Sequence, residues 1–105
     1  MKSPQHGEVW LVDLGLAGKV RPCLILSIPP RDEDRALVTI VPNTTAVRNN
    51  RFEVVIPLNF LKGDGVFNAQ DLMTLPISKC YRRLGALSVP QLEAVKAAVR
   101  EWLRL

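Results

Sequence analysis

The sequence predicts a mainly β fold: a small barrel-like or strongly bent antiparallel sheet of five to seven strands, with one C-terminal helix packed on it. Three observations predict it. Short apolar runs follow one another along most of the chain, separated by turn residues. Apolar residues at helical spacing occur only at the end. The chain has 105 residues, 48% hydrophobic and 23% charged, which suits one globular domain over 1–105 and is too little for two ordinary cores. A barrel of this size has a thin core, which dimerisation would help to close.

The elements follow in order. Glu8 to Leu14 (EVWLVDL) has apolar residues at both parities and predicts a strand buried on both sides. Gly15 to Lys19 (GLAGK) is a glycine-rich turn. Arg21-Pro22 leads into a second buried strand, Cys23 to Ser27, with Pro22 at its start or on an edge because it lacks an N–H. After a polar loop, Ile28 to Arg35, a third strand runs from Ala36 to Val41 and is ended by Pro42. Asn43 to Asn50 is a loop of amides and hydroxyls, and Phe52 to Ile56 a fourth strand with Glu53 outward. Leu58 to Gly65 reads equally as a helical turn or a loop. Val66 to Leu72 alternates weakly as a strand that Met73 to Pro76 extends or ends, and Ile77 to Leu84 is a short strand or irregular.

The helix is the clearest element and is expected over Val89 to Leu103. Ser88 is an N-cap, Gln91 completes a capping box, and Pro90 falls in the first turn, where its missing N–H is harmless. Leu92, Val95, Val99, Trp102 and Leu103 share one face, and Arg100 and Arg104 suit the negative end of the helix dipole.

Composition narrows the chemistry. His6 is the only histidine, in a segment expected to be loose, so a two-histidine acid–base pair and a histidine-rich metal site are both excluded. Cys23 and Cys80 form no Cys-x-x-Cys and cannot make a four-ligand zinc site; they read as reduced thiols of a cytoplasmic protein. No segment reaches the roughly 18 apolar residues of a membrane span, and the first ten residues have no apolar signal core. Lysine plus arginine is 14 against 10 acidic residues, a formal charge of +4 with nine arginines, which makes a polyanion a reasonable partner.

The strands explain themselves as core. Two loops at strand ends do not: Gly18 to Pro22, and Pro42 to Thr45. Arg21 precedes a proline, which pushes its backbone to extended geometry. Its ordinary reading is a surface arginine, or one paired with Asp13 or Glu53. Thr44 and Thr45 read first as turn hydroxyls bonded to nearby backbone.

These blocks in this order resemble a family. GEVWLVDL, a glycine turn, VRPCLILS, VTIVPNTT, RFEVVIP, MTLPISKCYRRLGALS and a terminal helix are similar to the MazF/PemK-type toxins of bacterial toxin–antitoxin pairs, over Gly7 to Leu105. The resemblance implies a compact SH3-like barrel of the kind shared by MazF, PemK and CcdB toxins, forming a homodimer. It implies sequence-specific, metal-independent cleavage of single-stranded RNA, mRNA above all, with no cofactor. It carries the catalytic arginine onto Arg21 and the catalytic threonine onto Thr44. The partners it implies are the RNA and a cognate antitoxin whose flexible acidic segment occupies the RNA groove; no membrane is involved.

On that resemblance, Lys19, Asn43, Thr45 and Arg48 are expected to bind substrate, with Arg51 a further candidate for phosphate contact. Asn68, Gln70 and Asp71 fall where relatives carry polar residues that read bases, and Asn68 or Gln70 is expected to do so here. Arg82 and Arg83 either extend that surface or meet the antitoxin. Trp10 and Trp102 are expected in the core, and Tyr81 has no assigned role. The first loop departs from some relatives: Leu16 and Ala17 stand where those carry an acid. That leaves the general base without a residue and the RNA groove more open. Two alternatives remain at this point. The same fold serves toxins that bind DNA gyrase without cutting RNA, against which Arg21 and Thr44 argue, and a degenerate member binds RNA without cutting it.

Overall fold

The computed structural model describes residues 3–15 and 19–105. Among them are seven strands and one helix: β1 (Glu8–Asp13), β2 (Val20–Ile25), β3 (Leu37–Thr44), β4 (Glu53–Val54), β5 (Val66–Asn68), β6 (Met73–Pro76), β7 (Cys80–Ala86) and α1 (Val89–Leu103). Single 3-10 turns span Ala69–Asp71 and Ile77–Lys79. Leu16, Ala17 and Gly18, in the turn expected after the first strand, lie outside the described residues. The turn is closed where it can be described, by the Leu14 N–H donating to the Lys19 carbonyl at 3.0 Å.

The strands pair antiparallel in the order β4-β5-β3-β2-β1-β7, with β6 pairing the first half of β3. The end strands β4 and β7 do not pair with each other, so the barrel stays open. His6 and Gly7 are tied down, contrary to the loose segment expected around His6. Gly7 N–H donates to the Ile25 carbonyl at 2.8 Å, and His6 Nδ1 donates to the Leu26 carbonyl at 2.7 Å.

Neighbouring residues of one strand enter opposite cores, because successive side chains point to opposite faces. Trp10, Val12, Cys23, Ile25, Val38, Ile40 and Leu75 form an inner cluster. Cys80 packs on it as well, so β6 and β7, the two ends of the run β6-β3-β2-β1-β7, meet one cluster and the sheet must bend around it. Val9, Leu24 and Val41 face the other way, toward Phe67, Phe52, Ile56 and the helix residues Val95, Ala98 and Val99. Complete burial of a side chain such as Phe67 contributes about 1.5–3 kcal/mol.

Two prolines shape the central strands. Pro22 lies within β2 opposite Leu11, not ahead of the strand. β3 pairs with β2 only from Cys23 onward, so no ladder bond to β3 is lost at Pro22. Pro42 does not end the third strand, as expected from sequence; β3 continues to Thr44. At Pro42 the strand changes neighbours. Leu37 to Ile40 pair with β6 and Asn43 to Thr44 with β5, leaving Val41 and Pro42 paired with β2 alone. A missing N–H is tolerated there for the same reason it is tolerated on an edge.

The fourth strand is shorter than read, because Glu53–Val54 has only the three-residue β5 beside it. Leu58 to Gly65 is loop and turn. The weak strand from Val66 stops at Asn68, whose side chain caps the 3-10 turn. The helix has the expected bounds and capping box, and closes at Arg104 in the left-handed region (φ 58°). Trp10 is core, but Trp102 is 43% exposed and meets Phe52 edge-on at 5.3 Å.

Candidate active site

The site begins with register. β2 and β3 pair as Ile25↔Ile40, Leu24↔Val41 and Cys23↔Pro42 and then part. Continued two residues further, that register sets Arg21 opposite Thr44. The two strands are drawn apart there by other partners: Arg21 is held by Val12 of β1 and Thr44 by Val66 of β5. The gap between them is a pocket of about 320 Å³, lined by Leu14, Lys19, Arg21, Pro42, Thr44, Asp71 and Met73. Arg21 is thus fixed in a strand opposite the buried Val12, which restricts the backbone from which its guanidinium projects.

The polar groups of this pocket are left available. Among the described residues the Arg21 guanidinium forms no ion pair or side-chain hydrogen bond. The two carboxylates that sequence offered as its partners are engaged elsewhere. Asp13 accepts from the Gly15 N–H at 2.8 Å and the Tyr81 hydroxyl at 3.4 Å. Glu53 accepts from the Arg48 and Asn50 N–H groups at 3.0 and 3.2 Å, bonds that hold its carboxyl below the usual range. Thr44 Oγ1 accepts from the Ala46 N–H at 3.1 Å, the turn role expected of it. That bond orients the hydroxyl and leaves its proton free to donate. The pocket therefore presents two cations, one hydroxyl donor and one carboxylate over an apolar floor of Leu14, Pro42 and Met73, an arrangement suited to an anion with an attached apolar or aromatic body.

Other expected residues lie elsewhere. Asn43 alternates with Thr44 and lines a second pocket, of about 130 Å³, with Pro57, Leu58, Leu61 and the Gly63–Gly65 turn. Gly65 packs closely beside it: a Cβ there would fall 2.1 Å from Asn43 Oδ1 and displace that side chain. Thr45 and Arg48 are exposed. Asn68 has both ends of its amide occupied: Oδ1 accepts from the Gln70 N–H at 3.1 Å and Nδ2 donates to Asp71 Oδ2 at 3.0 Å. Gln70 Oε1 accepts from Asn50 Nδ2 at 3.3 Å. Gln70 Nε2 and the second N–H of Asn68 Nδ2 remain as donors for a base. Arg51 is paired with Glu101 at 2.7 Å and Arg83 with Glu8 at 2.7 Å.

Sequence reading left Asp71 without a function and missed Met73 and Leu14 as lining. The strand alternation assigned to Val66–Leu72 concealed Asp71. The signal available was Asn68 three residues before Asp71, the spacing of a side-chain cap over a short turn. Cys23 is no candidate nucleophile, because burial, reinforced by the nearby Cys80, pushes its thiol up to about 12. No helix among the described residues is long and apolar enough to cross a membrane.

Comparison with known proteins gives concordant matches. Residues 5–103 match the family model described as PemK-like, MazF-like toxin of type II toxin–antitoxin system. An endoribonuclease from a mycobacterial species, solved in complex with its cognate antitoxin, is 28% identical over 98% of this chain and 97% of its own, with a TM-score of 0.82. The Mycobacterium tuberculosis toxin MazF-mt6 is 28% identical over 93% of this chain and 97% of its own, at 0.78. MazF from Deinococcus radiodurans, 22% identical over the full length of both chains at a TM-score of 0.85, shares the fold.

Proposed function

Since the chain belongs to the PemK-like, MazF-like toxins of type II toxin–antitoxin systems, we propose that it is an endoribonuclease that cuts single-stranded RNA, mRNA above all, at specific sequences without a metal ion. The observation that carries this reading is the pairing of an unneutralised Arg21 with a donor-ready Thr44 across one open pocket.

RNA brings its own nucleophile, the 2′-hydroxyl next to the scissile phosphate, so the protein has to supply in-line geometry and charge stabilisation. Attack of O2′ on phosphorus builds negative charge on the phosphoryl oxygens. The Arg21 guanidinium offers them two parallel donors, and the Thr44 hydroxyl donates to the same phosphate. A preorganised donor of this kind is worth about 10²–10³ in rate. The products are a 2′,3′-cyclic phosphate and a 5′-hydroxyl, and DNA, lacking the 2′-hydroxyl, is not cut. Lys19, which lines the same pocket, extends the cationic track for the backbone. Asn43, Thr45, Arg48, Asn68 and Gln70, outside this pocket, bind the flanking nucleotides.

The protein acts in the cytoplasm as a homodimer and is silenced by an antitoxin whose acidic segment covers the Arg21 groove. The similar mycobacterial endoribonuclease, solved with its cognate antitoxin, supports that partner. The test is incubation with a long single-stranded RNA in excess EDTA, with Arg21→Ala alongside and the ends mapped. Discrete cuts bearing cyclic phosphate in the wild type, and none in the variant, are expected. Absence of cutting by folded, antitoxin-free wild type overturns the reading, and a gyrase-inhibition assay then tests the non-catalytic alternative.

A further inference from the structure

We propose that the smaller pocket, on the opposite face of β3 from Arg21, takes one nucleobase of the RNA next to the scissile phosphate, and that the Asn43 amide reads its edge. This inference rests on the ribonuclease reading above and names a residue that sets its sequence preference.

Strand alternation brings the two pockets together. Successive side chains of β3 point to opposite faces, so Thr44 lines the larger pocket and Asn43 the smaller. β3 ends at Thr44. The exposed Thr45 follows, and its Cγ2 lies 3.9 Å from where a Cβ on Gly63 would stand, in the turn that walls the smaller pocket. Asn43, Thr44 and Thr45 thus border both pockets at the end of one strand. An RNA chain held by its phosphate at Thr44 and rounding that end can set its next base beside Asn43.

The smaller pocket suits a base. Its volume of about 130 Å³ admits one ring system, and Val55, Pro57, Leu58 and Leu61 supply apolar walls for the ring faces. Its polar groups are unspent. Among the described residues the Asn43 amide has no hydrogen-bonding partner, and Lys62 and Asp64 form no ion pair. Asn50 and Asn68, by contrast, accept from backbone N–H groups at 2.9 and 3.1 Å. An amide sets an acceptor beside donors, which matches the adjoining donor and acceptor of a Watson–Crick or Hoogsteen edge. The amide leans over Gly65, in space that a Cβ there would fill. The charges at the pocket balance, Lys62 against Asp64, which suits a neutral base and gives an acidic peptide no advantage.

The experiment maps the cuts made by wild type, Asn43→Ala and the isosteric Asn43→Asp in one pool of RNA of randomised sequence, with thermal melts to check the fold. The wild type is expected to prefer one base at a position next to the cut. Both variants should lose that preference by about tenfold or more and keep the preferences at other positions. In parallel, the wild type is titrated with an uncleavable analogue of a mapped site, carrying a 2′-deoxy sugar at the cut. The Asn43 side-chain amide resonances should shift, and should not shift when the analogue is abasic at that position. The titration needs no variant, so it decides the matter where a variant fails to fold. An unchanged cut preference in folded variants, or no shift of those resonances, with the wild type active, overturns the proposal and leaves the ribonuclease reading intact. So does an equal loss of cutting at every sequence, which ties Asn43 to the chemical step. So does a variant that cuts as wild type but is no longer restrained by an acidic peptide, which makes the pocket a protein-docking site. No cleavage by the wild type overturns both.

Discussion

The two ends of β3 are put to opposite uses. At Val41 the strand faces the helix, in a region where polar groups are matched. Ser88 and Gln91 cap each other's backbone, Arg51 pairs with Glu101, Lys96 pairs with Glu93 at 3.1 Å, and Val95 and Val99 are buried. Three residues on, at Thr44, the strand faces a pocket in which, among the described residues, Arg21 and Lys19 are without ion pairs and one oxygen of Asp71 is open. The first region is arranged to satisfy itself and the second to be satisfied by a ligand. Stability and chemistry are thereby separated along one strand, and substitutions should sort into those that lower folding and those that lower cutting.

The largest expected effect tests the helix side. Phe67→Ala removes a fully buried ring from the outer cluster and should cost about 3–5 kcal/mol in urea unfolding. The folded fraction should still cut RNA with wild-type sequence preference. Next comes Arg21→Ala. Cleavage should fall by about 10²–10³ with little loss of melting temperature, since among the described residues the guanidinium forms no ion pair. A clear destabilisation would show that the two regions are not separate. Ser88→Ala should cost about 1 kcal/mol by breaking the capping box, leaving the cleavage rate of folded protein unchanged.

The smallest effect concerns Glu8, which belongs to neither region. Burial raises its carboxyl, but hydrogen bonds from the Trp10 indole, the Gln5 N–H and Arg83, with the Arg83 charge, outweigh that and hold it below its ordinary 4.5. A depressed carboxyl stabilises the fold above the unfolded value, and that contribution is lost as the pH falls through the folded value. Melts from pH 6 to 3 should therefore converge for wild type and Glu8→Gln at the acid end and differ at the neutral end.

Much of this was legible in the sequence, for physical reasons. The capping box and the 3.6 period of α1 are local, so the helix bounds follow directly. Runs apolar at both parities marked β1 and β2 as buried on both faces. Strand ends were harder. Pro42 looked like a stop because its tolerance depends on which neighbour β3 has at that point, a fact of the assembled sheet. For the same reason Arg21 and Thr44 were read as residues of two loops, whereas they are strand residues made opposite by a shared register. The capping role of Asn68 was not legible because it depends on a turn that period-two alternation hides.

The placement of β1 between β2 and β7 has a consequence in time. A ribosome releases the chain from its N-terminus, and a nascent chain stopped just before Cys80 already contains Arg21, Thr44 and Asp71. Its first strand is then paired along one edge only, and the cluster around Trp10 lacks the strand that closes it. Pairings this distant in sequence form late. The cluster beside the pocket is thus completed only once β7 has emerged, and on the ribonuclease reading a product terminated before Cys80 should be inert.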